Sequence, residues 1–320
     1  MPPEIIEKIT RRLGIPDLWE KLNKQISSTE LNSFLLELFS HRTNQISPTE
    51  LLSAYQSNRF VTPVSYEWIP FIEWELEILR FAQENGFEPL ELSPVSPLGA
   101  CSVVATVHQH KVLSALRGTE VVSDATNVLA LESSLHRQAF LKKDTKSAAR
   151  VRLCTTHRHL RTSFFNFPGF TPHFKIFCLT LAGRDEGSFR FETESIVECL
   201  RFYYQLLTEK IGIESSRTRL ILKDLRQAAT ENLLFEALQK NIDQSLPQWT
   251  CEMQEIHHEN ANYYKGLQFK IILDPDGNRY DIGDGGFVNW TQQLLGNRKE
   301  RFLISGLGTE FLYKLLNRHI

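Results

Sequence analysis

The sequence predicts an α+β fold, and three stretches carry that reading. Gly266 to Phe311 runs as an apolar strand, an Asp-Pro-Asp-Gly turn, a return strand ending in Gly285-Gly286, a second apolar strand, and Gly306-Leu307-Gly308 opening a helix. Phe174 to Ala182 is apolar except at Lys175 and Thr180, the pattern of a central strand covered on both faces. Thr193 to Ile211 keeps Ile196, Val197, Leu200, Tyr203, Tyr204 and Leu207 on one side, as an amphipathic helix does.

A chain of 320 residues can bury a sizeable core, in one large domain or two. Hydrophobic content of 42% and charged content of 23% fit a soluble globular protein. A formal net charge of -2 excludes broad binding to a phosphate backbone and leaves room for a local basic patch. The five cysteines are odd in number and widely spaced, which argues against a disulfide framework or a structural zinc site and for buried thiols in a reducing cytosol. No signal pattern and no bilayer-length apolar run occurs, so a cytoplasmic location with no membrane partner is expected.

Residues 1–62 read as a helical N-terminal appendage packed on the main body, and 63–320 as the core. Ser27-Ser28-Thr29-Glu30 and Ser47-Pro48-Thr49-Glu50 are capping boxes ahead of helices carrying Leu31, Phe34, Leu35 and Leu38, and Leu51, Leu52 and Tyr55. Pro63 and Pro70 mark a linker. Helical spacing over 71–85 ends at Gly86, a C-cap, and 87–95 alternates as a strand whose prolines belong at an edge or end. A short strand at 113–116 leads to a polar turn, Arg117-Gly118-Thr119-Glu120, then a helix over 126–137 and a polar loop over 141–149. A strand over 151–155, a polar run to Arg161 and an aromatic loop at 167–170 follow. A strand at 220–222 and a helix over 230–242 complete the series.

The polar residues offer several candidates. Arg117, Thr119 and Glu120 form either a ligand-binding turn or a surface turn with an ion pair. Arg158, Arg161, His157, His159 and His173 form either an anion site or a solvent-facing strand edge. Alternation puts His157, His159 and Arg161 on one face and Arg158 on the other. The pairs His108-x-His110, His157-x-His159 and His257-His258 raise metal binding, but no acidic or cysteine ligand falls at a recognised spacing, so no metal is expected. Asp274-x-Asp276-Gly277 has its glycine in the wrong place for a calcium loop and reads as a hairpin turn. Arg184 to Ser188 reads as a solvated turn. Tyr263 and Tyr264 can offer hydroxyls to a ligand, and alternation allows only one to point inward. Gly306 and Gly308 bring backbone amides near an anion or satisfy packing.

Taken in order, these stretches resemble the catalytic core of class II aminoacyl-tRNA synthetases, most closely the histidyl type. The helix into Asn85-Gly86-Phe87-Glu88-Pro89 through Val95 resembles the first motif. Leu116-Arg117-Gly118-Thr119-Glu120 is similar to Leu-Arg-Pro-Glu-Gly-Thr at the amino-acid pocket. Arg161 through Phe174 resembles the second motif, with Arg161 as its phosphate-binding arginine. Tyr263-Tyr264-Lys265-Gly266 and Gly285-Gly286-Phe287 are similar to Tyr-Tyr-Thr-Gly and Gly-Gly-Arg-Tyr. Gly306 to Phe311 resembles the third motif, which usually ends Gly-x-Glu-Arg. The resemblance implies an antiparallel sheet flanked by helices, a homodimer through Phe71 to Pro94, and a ligand that is an amino acid or a nucleotide.

Departures from the family fall where its chemistry lies. Thr162-Ser163 follow Arg161 where the family has a glutamate holding adenine. Phe311 and Phe287 replace arginines, and a ring has no guanidinium fork. Ile176 and Thr180 replace the glutamine and glutamate that hold the substrate ammonium, and Glu259-Asn260-Ala261-Asn262 replaces Arg-Gly-Leu-Asp. The chain ends one helix after the third motif, so no anticodon-binding domain and no tRNA partner are expected. Two functions follow from the resemblance. One is a ligand-binding regulatory or accessory protein with a protein partner and no certain cofactor. The other is an adenylate-forming ligase using ATP and Mg, with Arg161 and Arg117 on phosphate or carboxylate.

Overall fold

The computed structural model describes residues 4–105, 107–163, 170–225, 232–255, 263–275 and 277–317. The expected aromatic loop at 167–169, His257 and His258, the segment 259–262, Asp276 and the first residues of the helix expected from 230 lie outside the described residues.

Four helices open the chain: α1 (Glu4–Leu13), α2 (Leu18–Glu20), α3 (Ser28–Thr43) and α4 (Pro48–Ser57). Both capping boxes form. Ser27 Oγ accepts the Glu30 amide at 3.2 Å while Glu30 Oε2 accepts the Ser27 amide at 2.7 Å, and Ser47 and Glu50 repeat this at 3.2 and 2.8 Å. No residue of α3 or α4 is buried, so these two helices add little to the core. Adjacent apolar pairs such as Leu35-Leu36 and Leu38-Phe39 carry the apolar residues round α3, so no single stripe can be covered. Hydrogen bonds join the appendage to the body instead. Arg59 donates to the Thr162 and Ser163 carbonyls at 2.6 and 3.3 Å, His173 Nε2 to the Thr62 carbonyl at 2.7 Å, and the Arg117 amide to Asn32 Oδ1 at 2.9 Å.

The body begins with α5 (Trp68–Glu84), followed by β1 (Glu88–Pro89), β2 (Val95–Pro97), β3 (Ser114–Ala115), β4 (Thr119–Val121), α6 (Ala125–Lys143), β5 (Val151–Leu160), β6 (His173–Arg184) and α7 (Arg190–Gln205). Then come β7 (Thr218–Leu225), α8 (Leu233–Ser245), β8 (Thr250–Glu255), β9 (Gly266–Leu273), β10 (Tyr280–Val288), α9 (Trp290–Leu295), β11 (Glu300–Leu307) and α10 (Thr309–Leu316). An eight-stranded sheet runs β1-β5-β6-β11-β10-β9-β7-β8, and a small sheet runs β2-β4-β3. The six inner strands of the large sheet are antiparallel, and β1 and β8 add one parallel pairing at each edge. Among the described residues no helix is long and apolar enough to cross a membrane. All five cysteines are free, and four of them are buried.

The apolar run at 174–182 lies inside β6, between β5 and β11, as its composition requires. Its odd residues Phe177, Leu179 and Leu181 face a core built with Ile196, Leu200 and Tyr203 of α7. Its even residues Cys178 and Ala182 face a second core with Leu129 of α6 and Phe302 of β11. Residues 87–95 divide into two short strands rather than one. Pro89 sits in the edge strand β1, where its missing amide costs no ladder bond. The helix expected to end at Arg137 continues to Lys143 and takes up the start of the expected 141–149 loop.

That longer helix carries a buried ion pair. Arg137 of α6 and Glu300 of β11 have no exposed side-chain surface. Arg137 Nε and Nη2 donate to Glu300 at 2.7 and 2.9 Å, and the guanidinium also holds the Ser147 and Ala149 carbonyls. The pair fixes the loop before β5 to the start of β11. Removing one partner strands a buried charge. Glu300→Ala is expected to lower the unfolding free energy by about 3–5 kcal/mol. Urea denaturation measures this, and the double change Arg137→Met with Glu300→Leu should recover most of the loss.

Candidate functional site

A cavity of about 750 Å³ opens on the α6 face of the sheet. Its floor includes Ile176 and Cys178 of β6 and Ile304 and Gly306 of β11. Its polar walls come from the start of α6, the end of β5, the residues before β9, and β10.

Asp124 is there because it caps α6. Its Oδ1 accepts the Thr126 amide at 3.0 Å and the Thr126 hydroxyl at 2.7 Å. Its Oδ2 is left for the Tyr263 hydroxyl at 3.4 Å and for Arg161 Nη2 at 3.8 Å. Arg161 follows the last residue of β5. Its Nε donates to the Ser123 carbonyl at 3.0 Å and its guanidinium lies 5.3 Å from the Phe174 ring centre. Across the cavity, Asp284 Oδ2 accepts the Tyr264 hydroxyl at 3.0 Å and the Gln268 amide at 3.2 Å. Burial, then the neighbouring Asp281, pushes the Asp284 carboxyl above the ordinary range against those two hydrogen bonds. Burial also holds both tyrosine hydroxyls well above their usual value, so they remain donors.

Both tyrosines face the cavity, contrary to the expectation from alternation. They lie in a bend that ends before β9 begins at Gly266, so the strand period does not govern them. Their rings meet edge to face at 4.8 Å. Gly286 makes the seat for Tyr264, because a Cβ there would fall 2.7 Å from its ring and 2.5 Å from the Leu267 carbonyl.

His159 is fully buried in the cavity wall. Its Nε2 accepts the Ala125 amide at 3.0 Å, and its Nδ1 has no hydrogen-bond partner. Burial first, partly opposed by Asp124, pushes its pKa down to about 3, so the ring is neutral with its proton on Nδ1. Asp124, His159 and Cys178 bring potential metal ligands within 4.8 Å of one another. Three separate elements supply them, which is why no ligand spacing is visible in the sequence. The trio is nonetheless poorly set for a metal. One histidine nitrogen is engaged by a backbone amide, the other carries the proton, and burial raises the Cys178 thiol well above its ordinary value.

A second polar centre backs the cavity. Glu310 of α10 accepts from the Tyr66 hydroxyl at 3.1 Å, Arg158 at 3.0 Å, the Lys175 amide at 3.3 Å and Lys314 at 2.9 Å. Arg158 also donates to Tyr66 at 3.0 Å and to His173 Nδ1 at 3.0 Å. Arg158 thus turns away from His157 and His159, as alternation along β5 requires.

Of the residues singled out in the sequence, Arg161, Tyr263 and Tyr264 line the cavity. Arg158 and His173 lie behind it, in the Glu310 centre. Arg117, Thr119 and Glu120 are not among its lining residues. They belong to the β3–β4 hairpin, where Arg117 is exposed at φ 68°. Glu120 is buried and directed at the backbone, accepting the Gly99 and Cys101 amides at 2.8 and 2.9 Å. The turn that reaches the cavity comes just after it, at Ser123-Asp124-Ala125-Thr126. Asp124, Gln268 and Asp284 were missed. An acid at a helix N-cap and an acid in Gly283-Asp284-Gly285-Gly286 were the signals available. Ile176 and Thr180 offer no ammonium partner, as expected, yet Asp124 and Asp284 bring carboxylates from elsewhere. Phe287 is in the core rather than the cavity, and Phe311 packs 5.2 Å from Phe170 at the rim.

The state of His159 can be read from stability. The unfolded histidine takes up a proton below about pH 6.5 and the folded one resists it, so stability falls as pH drops toward 3, by up to about 1.4 kcal/mol per pH unit. His159→Gln, which keeps an acceptor for the Ala125 amide, is expected to flatten that decline. Urea denaturation from about pH 7 to about pH 5 measures the slope, and equal slopes in the two proteins would contradict a neutral buried His159.

Neither a protein-family model nor a curated protein matches the sequence. Solved structures do match in three dimensions. A threonyl-tRNA synthetase from Aeropyrum pernix aligns with a TM-score of 0.62 at 15% identity, over 83% of this chain and 64% of its own. This chain therefore spans just under two thirds of that protein's length. An apo histidyl-tRNA synthetase from S. aureus aligns at 0.58 and 13% identity, over 81% of this chain and 71% of its own. An ATP phosphoribosyltransferase regulatory subunit/histidyl-tRNA synthetase from Bacillus halodurans C aligns at 0.57 and 13% identity, over 80% and 83%. With its six-stranded antiparallel centre and flanking helices, this chain has the class II aminoacyl-tRNA synthetase-like fold that the order of its motifs predicts.

Proposed function

We propose that this chain is a class II synthetase-like paralogue that binds a small ligand and acts as a regulatory or accessory protein rather than charging tRNA in the ordinary way. The observation that carries the reading is an open cavity in which three of the lining cations, all but Lys111, face acids of the protein. Arg161 faces Asp124, Lys175 lies 3.1 Å from Glu75, and Lys314 lies 2.9 Å from Glu310. Phe311 stands at the rim where the resemblance implies an arginine. A triphosphate would meet few uncompensated charges there, and phosphoryl chemistry depends on them. The Bacillus halodurans C protein, described as a regulatory subunit as well as a synthetase, supports the same reading by analogy of fold.

A cytoplasmic protein partner and a homodimer belong to the proposal. Ile69, Ile72 and Leu76 recur at helical spacing on α5 and are exposed, in keeping with pairing through the first motif. Exposed Phe34, Leu38, Leu51 and Leu52 leave the appendage free to meet another protein. The second reading is an adenylate-forming ligase using ATP and Mg. Arg161 favours it, since its Nη groups make no hydrogen bond among the described residues and reach the cavity.

Calorimetric titration with ATP and Mg²⁺, then pyrophosphate exchange across the amino acids, separates the two. The expected result is no ATP binding at about millimolar concentration, a binding free energy weaker than about -4 kcal/mol, and no exchange. Amino-acid-dependent exchange abolished by Arg161→Ala would overturn the regulatory reading.

A further inference from the structure

We infer that a second site lies at the end of the large sheet away from the cavity, a lysine-rich surface that binds an acidic segment of a protein partner. None of its residues lines the cavity. Arg184 stands roughly 20 Å along β6 from Cys178 on the cavity floor.

The surface starts in the polar run at 141–149. Lys142 and Lys143 close α6, and Lys146 follows in the loop. Arg184 ends β6, and its Nη1 donates to the Thr145 carbonyl at 3.2 Å, which ties that strand end to the loop. Glu300 at the start of β11 lies opposite Arg184, and Arg298 stands just before it. Lys142, Lys143, Lys146 and Arg298 are exposed, and neither they nor Arg184 make an ion pair among the described residues. The neighbouring acids are engaged. Asp185 has Lys299 and Arg301 at 2.9 and 3.1 Å, and Glu186 has Arg150 and Arg190 at 2.9 and 4.0 Å. Asp144 turns back on the loop and accepts the Lys146 amide at 2.9 Å. Two lysines at a helix end also suit its dipole, but that does not account for Lys146, Arg184 or Arg298. The chain as a whole carries a formal net charge of -2, so this surplus of cations leaves the remainder more acidic.

The surface is also held in place. Arg137, fully buried on Glu300, donates to the Ser147 carbonyl at 3.0 Å and to the Ala149 carbonyl. A buried ion pair adds little net stability over apolar side chains. What this pair fixes is an exposed loop in which no residue from 142 to 149 is buried. Charges carried on a fixed loop lose less freedom when they meet a partner.

An acidic peptide segment suits this surface better than a nucleic acid. No exposed aromatic side chain lies in 136–152, 184–192 or 297–301 to stack on a base. A duplex reaches past the surface and meets the acidic remainder of the chain, whereas a short run of Asp and Glu meets the cations alone.

The test is fluorescence anisotropy on the full chain with labelled hexaglutamate, hexaglutamine and a short RNA duplex. Hexaglutamate is expected to bind about tenfold or more tightly than hexaglutamine at low salt, more tightly than the duplex, and more weakly as salt rises. Lys142→Ser, Lys143→Ser and Lys146→Ser together should weaken it about tenfold. Lys8→Ser, Arg11→Ser and Arg12→Ser, which remove the same charge from α1, should not. Arg137→Met with Glu300→Leu keeps every lysine but releases the loop, and should weaken binding about threefold. No hexaglutamate binding, binding unchanged by loss of the three lysines, or an equal loss from the α1 changes would overturn the site. Tighter binding of the duplex through the same lysines would overturn the choice of partner. Self-association lost with the three lysines would do so too, by placing the acid on a second copy of this chain. Unchanged binding after release of the loop would overturn the part given to the buried pair. If that double variant fails to fold, the surface variants decide alone. ATP titration reports on the cavity and not on this surface, so either reading can fail without the other.

Discussion

A buried carboxylate sets the register of this molecule. Glu310 is 1% exposed and sits in the first turn of the last helix. A charge withdrawn from water must be compensated in full, and its donors come from four parts of the chain. Tyr66 lies just before α5, Arg158 is on β5, Lys175 on β6 and Lys314 on α10. The first helix of the body, the neighbouring strands β5 and β6 and the closing helix can satisfy Glu310 only in one mutual arrangement. That arrangement puts Glu310 and Lys314 at one end of the cavity, so the ion-pair centre and the site share a wall. It also commits Arg158 of β5 to structure.

On the cavity face, Gly306 of β11 leaves room where a Cβ would fall 3.2 Å from Ile176, and Gly286 of β10 seats Tyr264. Gly283 and Gly306 lie close across the β10–β11 pairing, and a Cβ on Gly283 would fall 2.7 Å from the Gly306 carbonyl. On the opposite face, a Cβ on Gly285 would fall 2.5 Å from the Phe269 ring, inside the main core. These glycines let the strands hold Asp284 beside open space and let Tyr264 lie flat on the sheet. Their cost in backbone entropy is tolerated within a strand pair that is otherwise apolar and buried.

What the sequence makes legible is what neighbouring residues decide among themselves. Ser27 with Glu30 and Ser47 with Glu50 form their boxes because cap and partner are three residues apart. The run at 174–182 is central because its composition tolerates no exposed face. The site is harder to read because distant elements assemble it. Asp124 caps a helix, His159 ends a strand, Cys178 lies midway along the next, and nothing in their spacing declares that they meet. Arg137 and Glu300 are hidden for the same reason. The polar turn at Arg117 to Glu120 and the one at Ser123 to Thr126 look alike as strings. Two backbone amides at Gly99 and Cys101, which hold Glu120 away from the cavity, decide between them.

The distribution of charge then separates what the fold retains from what its chemistry demands. In a site built for phosphoryl transfer the cations must remain unpaired until the substrate arrives, because their field stabilises the charge that develops. Here Lys175 and Lys314 are neutralised by Glu75 and Glu310, and Arg161 is partly shared with Asp124. Neutralised cations give little to a phosphate, but they do nothing to discourage a ligand of the opposite sign. Asp284, whose donors among the described residues are the neutral Tyr264 and Gln268, makes the cavity acidic at its Tyr264 end, while Arg161 lies at the other. The cavity thus has a guanidinium at one end and a carboxylate opposite it.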